Sequence, residues 1–170
     1  AVQNKLEYIR DAYDNVIIKK QASDGYENHP SVILQGHTDM VCEKSASVDF
    51  DFEKDSIKLK VCNDTVSADR TTLGADNGIA VAMMLAILTD NYIKHPAIEA
   101  LFTSDEEVGM LGAAALDCSV FKSKIMINMD SDDEGIFTVG CAGGNVTECI
   151  IPVTREPFEG SYFSISVSGL

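Results

Sequence analysis

Basic charge is scarce in this chain: 13 Lys and Arg stand against 27 Asp and Glu, giving a net charge of −14 and a pI of about 4.4. With no basic run to neutralise phosphates, nucleic acid and anionic membranes are excluded as partners, and cations become the natural ligands of the surface. Paired cysteines are absent too. Cys42, Cys62, Cys118, Cys141 and Cys149 are odd in number, widely spaced and without a Cys-x-x-Cys pair. Neither a disulfide framework nor a thiolate zinc knuckle is indicated, and reduced thiols in a cytoplasmic protein are the expectation. Nor is there a long apolar run: the longest, Ile79 to Leu88, is too short to span a bilayer, and no charged-then-apolar leader opens the sequence. The chain reads as soluble. Internal repeats and low-complexity segments are missing as well. What remains is 170 residues with 45% hydrophobic content, enough to bury the core of one domain.

Apolar runs punctuated by turn residues give the outline. Residues 1–12 mix apolar and polar positions at a spacing that fits neither helix nor strand. Val16-Ile17-Ile18 reads as a short strand with a polar end at Lys19-Lys20, and Ser23-Asp24-Gly25 as a turn. Val32 to Gln35 is a buried-strand run that ends in Gly36, His37 and Asp39. Residues 45–55 read as an acidic surface loop, and Ile57 to Ser67 as a hairpin turning at Cys62-Asn63-Asp64. The segment from Ile79 to Leu88 has no polar face, so as a helix it is expected to be buried all round. Ala97 to Thr103 is a second core strand ending in Ser104-Asp105-Glu106-Glu107. Val108 to Leu116, with Gly109 and Gly112, is read as a helix packed close to the sheet, and Ile125 to Met129 as a third core strand ending at Asp130. Val146 to Val153 and Ser161 to Val167 alternate as strands.

Strands alternating with apolar helices predict an α/β layered fold, with a largely parallel central sheet flanked by helices plus one antiparallel hairpin. In such sheets ligands bind beyond the carboxyl ends of the strands. There the sequence gathers His37 and Asp39, Glu106 and Glu107, and Asp130, while Asp76 stands at the mouth of the apolar helix. Converging acids repel unless a cation lies among them. Histidine with carboxylates and no thiolate suits zinc or manganese. Plainer readings compete: Asp76 or Asn77 as a helix cap, Asp39 as a turn residue, and Glu106-Glu107 as an acidic first helical turn capped by Asp105. His29 and His95, each before a proline, read as exposed loop histidines. The glycines around Gly143 precede a strand and not a helix, so a turn is favoured over a phosphate cradle.

Taken in order, Gln35-Gly36-His37-Thr38-Asp39-Met40-Val41, Thr71 to Gly78, Glu106-Glu107-Val108-Gly109-Met110, and Asn128-Met129-Asp130 with Gly140-Cys141-Ala142-Gly143-Gly144 resemble the co-catalytic zinc peptidases. Within them, the similarity is to the aminoacyl-histidine dipeptidases, relatives of carnosinase, and it runs over nearly the whole chain. The resemblance implies two divalent ions, zinc first with manganese or cobalt as alternatives. Asp76 would bridge them, His37 and Asp130 would hold one, and Glu107 the other. It implies Glu106 as general base toward a water between the ions, Asp39 as the clamp on His37, and a cis peptide bond after Asp76. The implied activity is hydrolysis of Xaa-His dipeptides, with a small peptide as the only partner besides a homodimer of the full-length parent.

Departures are visible as well. Arg70 stands where relatives more usually have glycine. The family's second zinc takes a histidine from far downstream, its inserted lid begins about where this chain stops, and its N-terminal helical portion is shortened here. The expectation is therefore that residues 1–170 form one incomplete catalytic domain, without lid or C-terminal part, and inactive alone. Two rivals stay open: a deacylase or carboxypeptidase with the same metal centre, and a non-catalytic metal-binding module.

Overall fold

The computed structural model describes residues 1–131, 135–140, 143–144, 147–154, 156–157 and 159–165. It divides into two units, Ala1–Ile136 and Phe137–Leu170. In the first, the strands are β1 (Glu7–Arg10), β2 (Val16–Lys20), β3 (Val32–His37), β4 (Leu59–Cys62), β5 (Thr65–Ala68), β6 (Ile98–Thr103) and β7 (Ile125–Asn128). The helices are α1 (Ala75–Thr89) and the short α2 (Leu111–Ala115).

β3 and β6 are the most continuously buried strands, and they lie side by side, parallel, with Leu34 opposite Ala100 and His37 opposite Thr103. β7 is parallel to β3 on its other side. β2 pairs antiparallel with β6, and β1 antiparallel with β2, giving the order β1-β2-β6-β3-β7. Thus the architecture is α/β, with a parallel centre, an antiparallel flank and, as expected, a separate β4–β5 hairpin turning at Asn63-Asp64.

Alternation along the strands sends side chains to two faces. On one, Leu34, Ile98, Ala100 and Phe102 pack with Met84 and Leu88 of α1. On the other, Ile17, Ile33 and Leu101 pack with Leu116, Val120 and Phe121 from the segment after β6. The β3-to-β6 crossover therefore uses one face and the β6-to-β7 crossover the other, as right-handed connections require when the direction along the sheet reverses. Chain leaving β3 and β6 on opposite faces opens a crevice at their carboxyl ends. Every residue singled out for chemistry lies at that edge. Lys20 adds a brace from β2, donating to the carbonyls of Ile87 and Asp90 at 2.8 and 2.6 Å where α1 ends.

The structure corrects several sequence readings. α1 is not buried all round. Ala80, Met84 and Leu88 face the sheet, whereas Ile79, Met83 and Leu85 are exposed, because the helix has the sheet on one side only. β7 sits where a core strand was expected, yet all four residues are exposed, since it is the edge of the sheet. The expected helix from Val108 shrinks to Leu111–Ala115, with residues 106–109 in turns and Gly109 at φ +109°. Residues 7–10, left unassigned, form β1, an edge strand whose one-sided packing on β2 leaves no clear pattern in the sequence. Phe50, placed in the surface loop, is buried against Phe52. His95 is buried as well, its backbone tied to Ser23. Of the two strands expected after Gly144, residues 147–153 and 161–165 are described, and they carry no strand; their remaining positions, 146 and 166–167, lie outside the described residues. No helix among the described residues is long and apolar enough to cross a membrane. Cys42, Cys62, Cys118 and Cys149 are free thiols.

One buried charge was not anticipated. Glu99, on β6, is 5% exposed. Its carboxylate accepts the amides of Lys122 and Ser123 at 3.1 and 2.9 Å, with Lys19 Nζ at 3.7 Å. Burial pushes its pKa up, but these hydrogen bonds and Lys19 outweigh it, so the net position is below the ordinary glutamate value of 4.5. The carboxylate fixes the turn into β7 onto the central strand. Glu99→Ala should cost about 2–4 kcal/mol at neutral pH, since it leaves buried donors unpaired. A native pKa below the unfolded one adds stability above about pH 4.5 that disappears as pH falls through the native pKa. Urea unfolding of wild type and Glu99→Gln at pH 7 and near pH 3 should show the difference between them shrinking at the lower pH.

Candidate metal centre

β3 ends at His37, whose side chain is 1% exposed and hydrogen-bonded through both ring nitrogens. Nδ1 lies 3.0 Å from the carbonyl oxygen of Asp39 and 3.3 Å from its carboxylate. Nε2 lies 3.0 Å from Asp76 Oδ1 and 3.8 Å from Asp130 Oδ2. Partners on Nδ1 set which nitrogen faces the acids, leaving Nε2 for a ligand's role.

Asp76 is delivered by the first turn of α1, but it caps nothing. The residue before the helix is Gly74, at φ +77°, with no side-chain cap. Asp76 and Asn77 have non-helical backbone angles, and the bond between them is cis, as the resemblance implies. The Asp76 side chain is 73% exposed on the open side of the crevice.

Asp39 reaches sideways to the end of β6. Its two oxygens accept the backbone amides of Glu106 and Glu107, each at 3.1 Å. The glutamates are therefore not the first turn of a helix capped by Asp105; α2 begins only at Leu111, and Asp105 is itself at φ +54°. Burial pushes the Asp39 pKa up, but the two amides and the facing His37 outweigh it, so its carboxyl is held below the ordinary value. Asn15, buried between β1 and β2, secures the same loop by accepting the Ser104 amide at 3.1 Å.

Like charge gathers here. Burial raises the Glu106 pKa, and Asp130, Glu107 and Asp39 add to that against the pull of His37. Burial works against a charged His37, yet Asp76, Asp130 and Asp39 outweigh it and raise its pKa. Both shifts mark a site short of positive charge.

Two sets of donor atoms come within 4.8 Å of one another among the described residues: His37 with Asp76 and Asp130, and His37 with Glu106 and Glu107. Zinc ligands at about 2.0–2.2 Å in a tetrahedron lie roughly 3.3–3.6 Å apart. The separations of 3.0 and 3.8 Å around His37 Nε2 bracket that value, so nitrogen and oxygen donors fit a divalent ion. Glu107 falls in the set with Glu106 and His37. His29 stacks on Tyr26 and His95 lies beside Ser23, both away from these sets.

The sequence profile of peptidase family M28 matches residues 15–144, a stretch containing every residue of this crevice. The chain belongs to peptidase family M28. It is 40% identical over 163 residues to the cytosol non-specific dipeptidase of Escherichia coli, covering 95% of this chain and 34% of that protein. Its fold matches the crystal structure of aminoacylhistidine dipeptidase from Vibrio alginolyticus with a TM-score of 0.75 and 46% identity, over 79% of this chain and 27% of that one. A Bacillus cereus aminopeptidase matches with a TM-score of 0.60 at 26% identity, covering 78% of this chain and 35% of that one. The chain thus spans about a third of the length of the relatives it matches. These relatives are named as peptidases. Arg70 has φ +62°, a left-handed conformation that glycine adopts without steric cost.

Sequence reasoning placed Asp39 beside His37 but missed its hold on the glutamates, because a loop-to-loop hydrogen bond leaves no periodic trace. If that hold organises the loop, Asp39→Ala should speed hydrogen exchange of the Glu106 and Glu107 amides at least about tenfold, which corresponds to about 1.4 kcal/mol. Asp39→Asn, retaining one acceptor oxygen, should lose less. Equal exchange in all three proteins would show that the loop stands without Asp39.

Proposed function

We propose that this chain carries the metal-binding and proton-transfer residues of a dipeptidase acting on Xaa-His dipeptides, and that it is part of a longer catalytic chain. The supporting observation is the convergence of His37, Asp76 and Asp130 beside a half-buried Glu106. A divalent ion at His37, Asp76 and Asp130 would polarise the scissile carbonyl and lower the pKa of water, zinc being the best match to nitrogen and oxygen donors. A second ion is proposed at Asp76 and Glu107.

The chain's own residues would supply orientation and proton movement. Asp39 holds His37 through Nδ1 and keeps both glutamates in place by their backbones, leaving the glutamate side chains available to the crevice. Glu106 takes the proton from the attacking water as the carbon–oxygen bond forms. It returns the proton to the departing amine as the carbon–nitrogen bond breaks. A pKa raised by burial and by its acidic neighbours makes Glu106 a stronger base than an ordinary glutamate. The Vibrio relative, an aminoacylhistidine dipeptidase at 46% identity, supports the choice of substrate. Dipeptides of the Xaa-His kind, assayed against N-acyl amino acids, separate this reading from a deacylase.

In the full-length parent, Glu106→Gln should keep metal content while lowering turnover by about 10² to 10⁴, the usual worth of a placed base. Glu107→Gln should instead weaken binding of the second ion. Metal loss from the Glu106 variant would reverse the two roles.

The 170-residue chain alone should bind one divalent ion well and fail to turn over Xaa-His dipeptides. His37, Asp76 and Asp130 give one ion three protein ligands, whereas Asp76 and Glu107 give the other two carboxylates, which hold zinc weakly. Calorimetric titration of zinc beside a hydrolysis assay checks this. Two tight sites, or turnover like that of a complete relative, would contradict it.

A further inference from the structure

Asn77 lies beside the proposed ligands and is buried, although it follows the exposed Asp76. Its Nδ2 donates to Asp130 Oδ1 at 3.2 Å and to the Met129 carbonyl at 3.4 Å. Its Oδ1 has no hydrogen-bond partner and lies against Gly36, at the spot a Cβ there would fill. That Cβ would also stand 2.7 Å from Ala80 Cβ, so the missing side chain at Gly36 is what lets α1 close on β3. The amide has one orientation, because turning it over would set Oδ1 against two acceptor oxygens.

The pattern of contacts divides the Asp130 carboxylate. Oδ1 is engaged by Asn77, and Oδ2 lies 3.8 Å from His37 Nε2. We infer that Asn77 is a positioning residue for the metal centre: its amide holds Asp130 Oδ1 so that Oδ2 is the oxygen presented beside His37 and Asp76. This rests on the metal-site reading above and adds a residue that touches no ion itself. One dipeptide at the start of α1 then sets two ligands, Asp76 directly and Asp130 through Asn77. Partners of this kind around a metal site are commonly worth 10–100-fold in metal affinity.

The test is a double-mutant cycle on the 170-residue chain, with zinc affinity read by calorimetry and folding by urea. Asn77→Ala should bind zinc about 10–100-fold more weakly than wild type. In an Asp130→Ala background the same change should have no further effect, since the carboxylate it positions is gone. Asn77→Asp keeps the shape but replaces the donor with an acceptor, and should lose at least as much affinity; it serves if the alanine variant does not fold. The visible spectrum of bound cobalt should change between wild type and Asn77→Asp. Unchanged zinc affinity in both Asn77 variants, or a loss in the Asp130→Ala background as large as in wild type, would overturn the inference while leaving the metal site intact. If wild type binds no zinc, or Asp130→Ala binds as wild type does, the reading of the metal site fails and this inference with it.

Discussion

Five carboxylates, those of Asp39, Asp76, Glu106, Glu107 and Asp130, share one edge of a sheet with a single imidazole. Repulsion among them is the constraint the surrounding structure has to meet. Among the described residues no lysine or arginine pairs with Asp39, Asp76, Glu106 or Glu107; the lysine and arginine ion pairs lie elsewhere. Asp39 is compensated by backbone amides instead. Fixed amides stabilise a carboxylate without filling the crevice, whereas a lysine ammonium would occupy the space and the charge that a divalent ion can take. The upward pKa shifts of His37 and Glu106 reflect the same deficit from two sides, the acids around His37 favouring its charged form and those around Glu106 disfavouring its charged form.

Topology makes such a site affordable at one place only. β3 and β6 are parallel neighbours whose following segments depart on opposite faces, so the two connections diverge at their carboxyl ends. Close approach of α1 to β3 at Gly36 then brings Asp76 and Asn77 to the end of β3 and within reach of β7. The core and the site are coupled through that approach: Met84 and Ala80 have no exposed surface, and the same face of α1 that buries them carries Asn77 at its start.

What the sequence made legible follows from these causes. Apolar runs ending abruptly in His37, Thr103 before the glutamates, and Asn128 before Asp130 are strand-end signals, because burial and alternation act on consecutive residues. The chemistry attached to those ends could therefore be listed in advance. Contacts that link distant loops were not legible. Nothing in the spacing of Asp39 and Glu106 shows that one accepts the other's amide. Glu99 interrupts the apolar run of β6, and its partners Lys122 and Ser123 lie in a turn that only the fold brings near. Edge position was equally hidden. Ile125-Met126-Ile127 has the composition of a central strand, and its exposure depends on what lies beside it.

That exposure bears on how the proposed enzyme is assembled. Among the described residues β7 is an edge strand with no further strand paired to it and with Ile125, Met126 and Ile127 exposed, and α1 exposes Ile79, Met83 and Leu85. Register places Ile125 and Ile127 opposite Val32 and Leu34, hence on the α1 side of the sheet, so these exposed groups on strand and helix belong to the same side. Soluble proteins seldom leave long apolar edges open, because an unpaired edge recruits other chains. Relatives three times as long have ample chain to cover such a surface. On the reading of this chain as part of a longer enzyme, the surface is an interior one, and the division of labour is physical: these residues bring the ligands and the base, while the covering segments would complete the second ion's shell and exclude water from the substrate. On that reading, the exposed apolar side of α1 and the two-carboxylate shell proposed for the second ion are two signs of one incompleteness, the first in packing and the second in the number of ligands.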